Sequence, residues 1–133
     1  MVDEKVIEEL RTWIEVEEEV VYNIGRVRAE SEGTFPSLLL YELVADSTKH
    51  INILNAIIDI LEGRFKESTG NEVSYDFIKD HIETEKTALQ FADRLRRETD
   101  NEDVKLLLSH IMEEEQRHHD TLIHISERYV KEA

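Results

Sequence analysis

The chain has 133 residues and a formal net charge of −15, from 31 acidic and 16 basic residues. A surface with this much negative charge repels phosphate backbones and anionic membrane faces. We therefore expect neither a nucleic-acid nor a membrane partner. The chain contains no cysteine, which excludes disulfides, thiolate metal sites and cysteine nucleophiles. Any metal must therefore be held by carboxylate, imidazole or water, and these ligands suit iron, manganese or zinc.

The length predicts one domain spanning residues 1–133. The N-terminal sequence is charged from its third residue and has no basic stretch followed by an apolar core, so we expect a cytoplasmic protein without a secretion signal. The longest apolar run, about residues 51–61, is interrupted by polar side chains. It is shorter than the roughly 18 residues that a membrane-spanning helix needs, so no such helix is predicted.

Apolar residues return every three or four positions along most of the chain, a spacing that predicts α-helices. The first helix is expected from about Asp3 to Glu30. The second is expected from about Pro36, because proline suits a first helical turn, to Gly63. The predicted inward residues are Val6, Leu10, Trp13, Glu17, Val20 or Val21, Ile24 and Val27 in the first helix, and Leu39, Leu43, Asp46, His50, Ile53, Ile57 and Ile60 in the second.

Two further helices are predicted in the second half of the chain. The third begins after an N-cap at Ser74 and ends at about Glu98. The fourth follows a cap at Asp100 or Asn101 and ends near Val130. The predicted inward residues are Ile78, Ile82, Glu85, Leu89, Ala92 and Leu95 in the third helix, and Leu107, Ile111, Glu114 or Glu115, His118, Leu122 and Ile125 in the fourth.

The spacing of these helices predicts two antiparallel hairpins. Short turns join the helices within residues 3–62 and within residues 75–131. The connection over residues 63–74 is longer, and at about 3.3 Å per extended residue it is just long enough to run back along a helix. A lengthwise crossover and a simple loop both remain open.

The second half of the chain repeats the first at a shift of 68 positions without a gap. Glu17 falls on Glu85, and His50 falls on His118. A repeat of this length corresponds to one helix pair used twice. The predicted fold is therefore an all-α four-helix bundle built from two repeated antiparallel helix hairpins, and a mid-helix acid and histidine in each hairpin are typical of a two-metal site in such a bundle.

These four polar residues occupy positions that the helical pattern would make apolar. Buried carboxylates and imidazoles need to be neutralised by one another, by proton uptake or by a metal. Glu115 lies three residues before His118, which places both side chains on one helix face where they can share a metal. The sequence therefore predicts that the polar positions converge as a metal-binding group.

On these residues the chain resembles the ferritin-like superfamily and, within it, the rubrerythrin-like di-iron carboxylate proteins. The resemblance covers nearly the whole chain and implies a ferritin-like bundle with a di-iron site. The implied metal ligands are Glu17, His50, Glu85, Glu115 and His118. It also implies an oxidoreductase of the peroxidase or ferroxidase type. The electron donor would be a separate protein, because the rubredoxin-type domain of full rubrerythrins needs cysteines.

The second helix departs from the family at one position. Ser47 stands where the resemblance calls for a metal-bridging glutamate, three residues before His50. The site is left with three acids and two histidines, so we expect one or two ions. Asp46 is an alternative ligand or a partner that orients His50, and Glu114, its counterpart under the repeat, can serve His118 in the same way.

Two classes of function remain open from the residues. The first is a metal-binding protein, with iron expected and manganese or zinc as alternatives, that reacts with dioxygen or peroxide. The second is a degenerate bundle without a catalytic metal, in which glutamate and histidine pairs form a hydrogen-bonded polar layer in a structural or interaction module. A phosphate-binding loop and a nucleophile elbow are both missing from the sequence.

Several other residues are predicted to lie outside the chemistry. Trp13 and His81, each one turn before the acid of its hairpin, are expected to pack, and His119 is expected at the surface. The second helix is apolar on more than one face. Exposed aliphatic side chains there are therefore predicted to form the seam of a homodimer, namely Leu40, Val44 and Ile58.

Overall fold

A computed structural model describes residues 3–70 and 72–131 of the chain. Four long helices dominate it, and the two strands have only two residues each. This confirms the predicted all-α class. The elements in chain order are α1 (Glu4–Glu30), α2 (Phe35–Leu61), β1 (Val73–Ser74), α3 (Tyr75–Glu98), α4 (Glu102–Arg128) and β2 (Val130–Lys131).

Side chains that accept from free backbone amides fix where each helix begins. Asp3 accepts from the amides of Lys5 and Val6 at the start of α1. Thr34 accepts from the amide of Ser37 at the start of α2. These bonds satisfy amides that have no partner within the helix.

The second half of the chain uses the same device. Ser74 accepts from the amide of Phe77 and begins α3, as predicted. Asn101 accepts from the amide of Val104 and begins α4, which selects it over Asp100. Local sequence therefore determines the starts of all four helices.

Consecutive helices pack as two hairpins, α1 on α2 and α3 on α4, as predicted. The chain divides into two compact units, Met1–Lys66 and Glu67–Ala133, each of which contains one hairpin. The repeat is visible in the helix ends, because α1 ends at Glu30 and α3 at Glu98, 68 residues later. The organisation of residues 1–133 as one domain stays a prediction, as does the course of the connection.

The buried apolar side chains are few, and in the first hairpin, where they are Ile7, Leu54 and Ile58, they correct the predicted helix phase. The second hairpin buries Ile78 and Ala92 as predicted, whereas Leu95 and Ile111, also predicted to face inward, are 44% and 49% exposed. Side chains predicted to face inward are instead 39–55% exposed in the first hairpin, namely Val6, Trp13, Val27, Leu43, Ile53 and Ile60.

The reason lies in the composition of α2. Its buried face comprises Ser37, Ser47, Leu54 and Ile58, whereas the predicted inward face contained Leu43. Because several faces of this helix are apolar, periodicity alone did not fix which one is buried. Ile58, predicted to be exposed in a dimer seam, is only 5% exposed, so that part of the seam is wrong. The homodimer itself stays a prediction.

In the second hairpin, β1 pairs in parallel with β2. The amide of Val73 also donates to the carbonyl of Tyr129 at 3.3 Å. The segment before α3 is thereby joined to the end of α4. Among the residues that the structure covers, none of the helices has an apolar stretch long enough to cross a membrane.

Candidate metal centre

Three predicted ligands come together in the second hairpin. Glu85 lies in the middle of α3, and Glu115 and His118 lie one helical turn apart on α4. One ligand atom from each of these side chains lies within 4.8 Å of the other two. Nδ1 of His118 is 3.7 Å from Oε2 of Glu85 and 3.8 Å from Oε1 of Glu115.

These three side chains are sheltered unequally. The carboxylates of Glu85 and Glu115 are 17% and 20% exposed, whereas the imidazole of His118 is 51% exposed. The expectation that the histidine is fully inward is therefore wrong, and it lies at the open edge of the group. Oε2 of Glu85 is buried and has no hydrogen-bond partner among the described residues. An unpartnered buried carboxylate oxygen is costly, and a cation would satisfy it.

The donor set fits a divalent metal ion. Two carboxylates and one neutral imidazole carry a charge of about −2, which a divalent ion neutralises. Metal bonds of about 2.0–2.2 Å place two ligands of one tetrahedral ion roughly 3.4 Å apart. The distances of 3.7 Å and 3.8 Å from Nδ1 of His118 to the two carboxylates need only a small closure to reach that spacing. Oxygen and imidazole ligands suit iron, manganese and zinc.

Glu114 lies on the other side of the His118 ring. Its Oε2 is 4.0 Å from Nε2 of His118, and its Oε1 accepts from Nη2 of Arg117 at 2.6 Å. Metal-bound histidines usually donate their second ring nitrogen to a carboxylate or carbonyl, which fixes the orientation of the ring. This placement fits the orienting role predicted for Glu114.

The first hairpin repeats the carboxylate and histidine pair. Nδ1 of His50 is 3.5 Å from Oε1 of Glu17, and the carboxylate is 15% exposed while the imidazole is 51% exposed. Asp46 lies on the same helix with its Oδ1 3.7 Å from Nζ of Lys49, so it has a cationic neighbour. The structure thus places Glu17 and His50 together, as the sequence predicted, but the expectation that His50 faces inward is wrong.

Two donors distinguish Glu17 from its counterpart. Nε1 of Trp13 donates to Oε1 of Glu17 at 3.2 Å, and Ser47, which offers a hydroxyl, is buried in the same hairpin. The Ser47 hydroxyl is the main cause that lowers the pKa of Glu17, Trp13 and His50 lower it further, and burial acts in the opposite direction. Glu17 is therefore held as an anion by neutral donors of its own hairpin.

Sequence reasoning missed two of these features. Trp13 was expected only to pack, but it is a hydrogen-bond donor to Glu17, and the spacing of four residues along one helix is the signal that could have found it. His119 was expected at the surface, yet it is partly buried and its Nδ1 is inaccessible to solvent. His81 does pack, with its ring 4.2 Å from that of Phe77.

Comparison with known proteins found no related protein. Neither a family model, nor a curated protein, nor a solved structure matches this chain. The resemblance to rubrerythrin-like proteins therefore depends on the residues of this sequence alone.

Proposed function

We propose that this protein binds a divalent metal ion, with iron as the expected ion, through Glu85, Glu115 and His118. The observation that carries the proposal is the convergence of three ligand atoms within 4.8 Å. It is supported by the buried oxygen of Glu85, which lacks a hydrogen-bond partner among the described residues. Manganese and zinc are the alternative ions, because the same donors suit them.

The expected chemistry is that of a rubrerythrin-like oxidoreductase of the peroxidase or ferroxidase type. Bound iron would supply redox chemistry toward dioxygen or peroxide. The carboxylates of Glu85 and Glu115 would neutralise the ion, and Glu114 would orient His118. Three protein ligands leave room for a water or an oxygen substrate, as in catalytic metal sites. Electrons would come from a separate donor protein.

The test is an anaerobic ferrous titration of metal-stripped protein, with bound metal counted by mass spectrometry and with manganese and zinc titrated in parallel. Glu115→Gln removes one charged ligand without changing side-chain size. It should weaken binding by more than the roughly 10-fold to 100-fold loss that outer-shell changes produce. Glu113→Gln is the matched control, because it makes the same change at an exposed position of the same helix.

A second candidate is a structural or interaction module without a catalytic metal. The hydrogen-bonded group of Trp13, Glu17 and Ser47 favours it, because a polar layer of this kind is satisfied by protein donors. Wild-type protein that binds no more metal than the Glu115→Gln variant would support this alternative and contradict the metal-binding proposal.

A further inference from the structure

We propose that the two hairpins have unequal roles. The chain holds one metal ion at Glu85, Glu115 and His118, while the neighbouring side chains of Glu17 and His50 take no metal. The inference rests on the proposed function and sets its stoichiometry. It departs from the two-metal expectation that the repeat suggests.

The spacing of glutamate and histidine does not explain the difference, because it is nearly the same in the two hairpins. The histidine and carboxylate atoms are 3.5 Å apart in the first hairpin and 3.7 Å apart in the second. A neighbouring ion pair is repeated as well, since Asp46 lies by Lys49 where Glu114 lies by Arg117. The side chains around each glutamate must therefore decide whether it binds metal.

The first difference is at position 47 and its counterpart, position 115. Ser47 is 7% exposed and offers a neutral hydroxyl in place of a carboxylate. Glu115 offers a carboxylate that only accepts when ionised, 3.8 Å from the imidazole of His118. The first hairpin thus presents one carboxylate to an ion, and the second presents two. One carboxylate neutralises only half of a divalent charge.

The second difference is at position 13 and its counterpart, position 81. The indole of Trp13 can only donate, and it occupies Oε1 of Glu17 at 3.2 Å, the oxygen that also faces His50. A cation at that oxygen would have to share it with the indole N–H, which weakens its binding. His81 instead stacks on Phe77. Oε2 of Glu85 keeps no donor among the described residues, so it is the oxygen that a cation gains most by reaching.

The experiment is a zinc titration of metal-stripped protein, followed by native mass spectrometry and by the fluorescence of Trp13, the only tryptophan. Zinc is the probe because it has no redox chemistry. We expect one zinc per wild-type chain with little change in Trp13 emission. His118→Ala should lose this ion, and His50→Ala should keep it with an affinity within about twofold.

The exchange of residues between hairpins gives the converse test. Ser47→Glu recreates in the first hairpin the acid that the second hairpin has, and should raise the count from one to two. The second zinc should bind beside the Trp13 indole and change its emission. Thr48→Glu is the control, since it adds the same charge at the adjacent exposed position. Because Ser47 is buried, the histidine variants carry the test if Ser47→Glu does not fold.

The outcomes separate the inference from the function on which it rests. Two zinc ions in the wild type, one of them lost in His50→Ala, would overturn the inference and leave metal binding intact. One zinc lost equally in His50→Ala and His118→Ala would also overturn it. No zinc in the wild type would overturn the proposed function itself.

Discussion

The indole of Trp13 donates to the carboxylate of Glu17 at 3.2 Å, across one turn of α1. Trp13 is the only tryptophan in the chain, so its fluorescence comes from this one position. The emission should therefore follow the ionisation of Glu17. This fluorescence reports on the surroundings of Glu17 without any need to measure enzymatic activity.

The first prediction concerns the acid titration of Trp13 emission. The hydrogen bonds from Ser47 and Trp13 lower the pKa of Glu17, so the midpoint should lie below the ordinary value of a glutamate, 4.5. A folded-state pKa below the unfolded value contributes stability above the unfolded pKa, and that stability is lost as the pH falls through the folded pKa. Fluorescence and circular dichroism recorded over the same pH range measure both effects.

Two variants check the assignment of that titration. Glu17→Gln should remove the fluorescence transition, because the group that titrates is gone. Ser47→Ala removes the main cause of the lowered pKa and should move the midpoint upward toward 4.5. A midpoint that stays in place in Ser47→Ala would contradict the hydrogen bond between the two side chains.

The second prediction concerns Glu72, in the segment before α3. Its Oε1 accepts from the amide of Thr69 at 2.6 Å, and Oε2 accepts from the hydroxyl of Ser68 at 3.1 Å. The Thr69 amide is the largest cause that lowers the pKa of Glu72 to about 2, followed by the backbone amide of Glu72 itself and then by the Ser68 hydroxyl. The segment should lose this support as the pH falls from 4.5 to about 2, since protonation removes the acceptor.

Carboxyl-carbon chemical shifts followed by NMR measure the Glu72 titration directly. Ser68→Ala should raise the midpoint only slightly, because the hydroxyl contributes less than the Thr69 amide. A wild-type midpoint near 4.5 would show that the amide bond is not formed in solution.

Helix positions and caps could be predicted from the sequence because their causes are local. Ser74 and Asn101 cap their helices through amides three residues away, so the signal lies within one turn. The repeat could also be read directly, since it aligns Glu17 with Glu85 and His50 with His118, and each glutamate lies near the histidine of its own hairpin. Because the shift has no gap, each position of the first hairpin has one counterpart in the second, so the matching residues follow without knowledge of packing.

The buried face of α2 could not be predicted in this way. Leu43 and Ile58 are equally apolar, yet one is 49% exposed and the other 5%. Which of the two is buried depends on which face of α2 packs against α1. The sequence of a helix that is apolar on several faces does not indicate that face. The hydrogen bond of Trp13 was missed for a related reason, since the rotamer of its ring decides whether the indole reaches a carboxylate or only packs on its neighbours.

The third prediction concerns Ile7, the one fully buried large side chain of the described core. Ile7→Ala should lower the free energy of unfolding by about 2–5 kcal/mol, because it removes buried methyl groups and leaves a cavity. Urea denaturation measures this difference. Val6→Ala is the control at the next position, where the side chain is 39% exposed, and it should change stability by about 0.5 kcal/mol or less. Equal losses of unfolding free energy in both variants would contradict the placement of Ile7, and not Val6, on the buried face of α1.

The fourth prediction compares two glycines of the first hairpin. Gly25 lies within α1, and an added Cβ there would meet no described heavy atom within 4 Å. Gly25→Ala should therefore raise the free energy of unfolding by about 0.5–1 kcal/mol, because alanine restricts the unfolded chain and favours helix.

At Gly33 the same substitution should have the opposite effect on stability. Its φ is +84°, a left-handed conformation that disfavours an L side chain even though space for a Cβ is open. Gly33→Ala should lower stability by roughly 1–2 kcal/mol. Thermal and urea unfolding of the two variants, measured side by side, should move in opposite directions from the wild type. A gain in stability at both positions would mean that the turn between α1 and α2 does not need the left-handed residue.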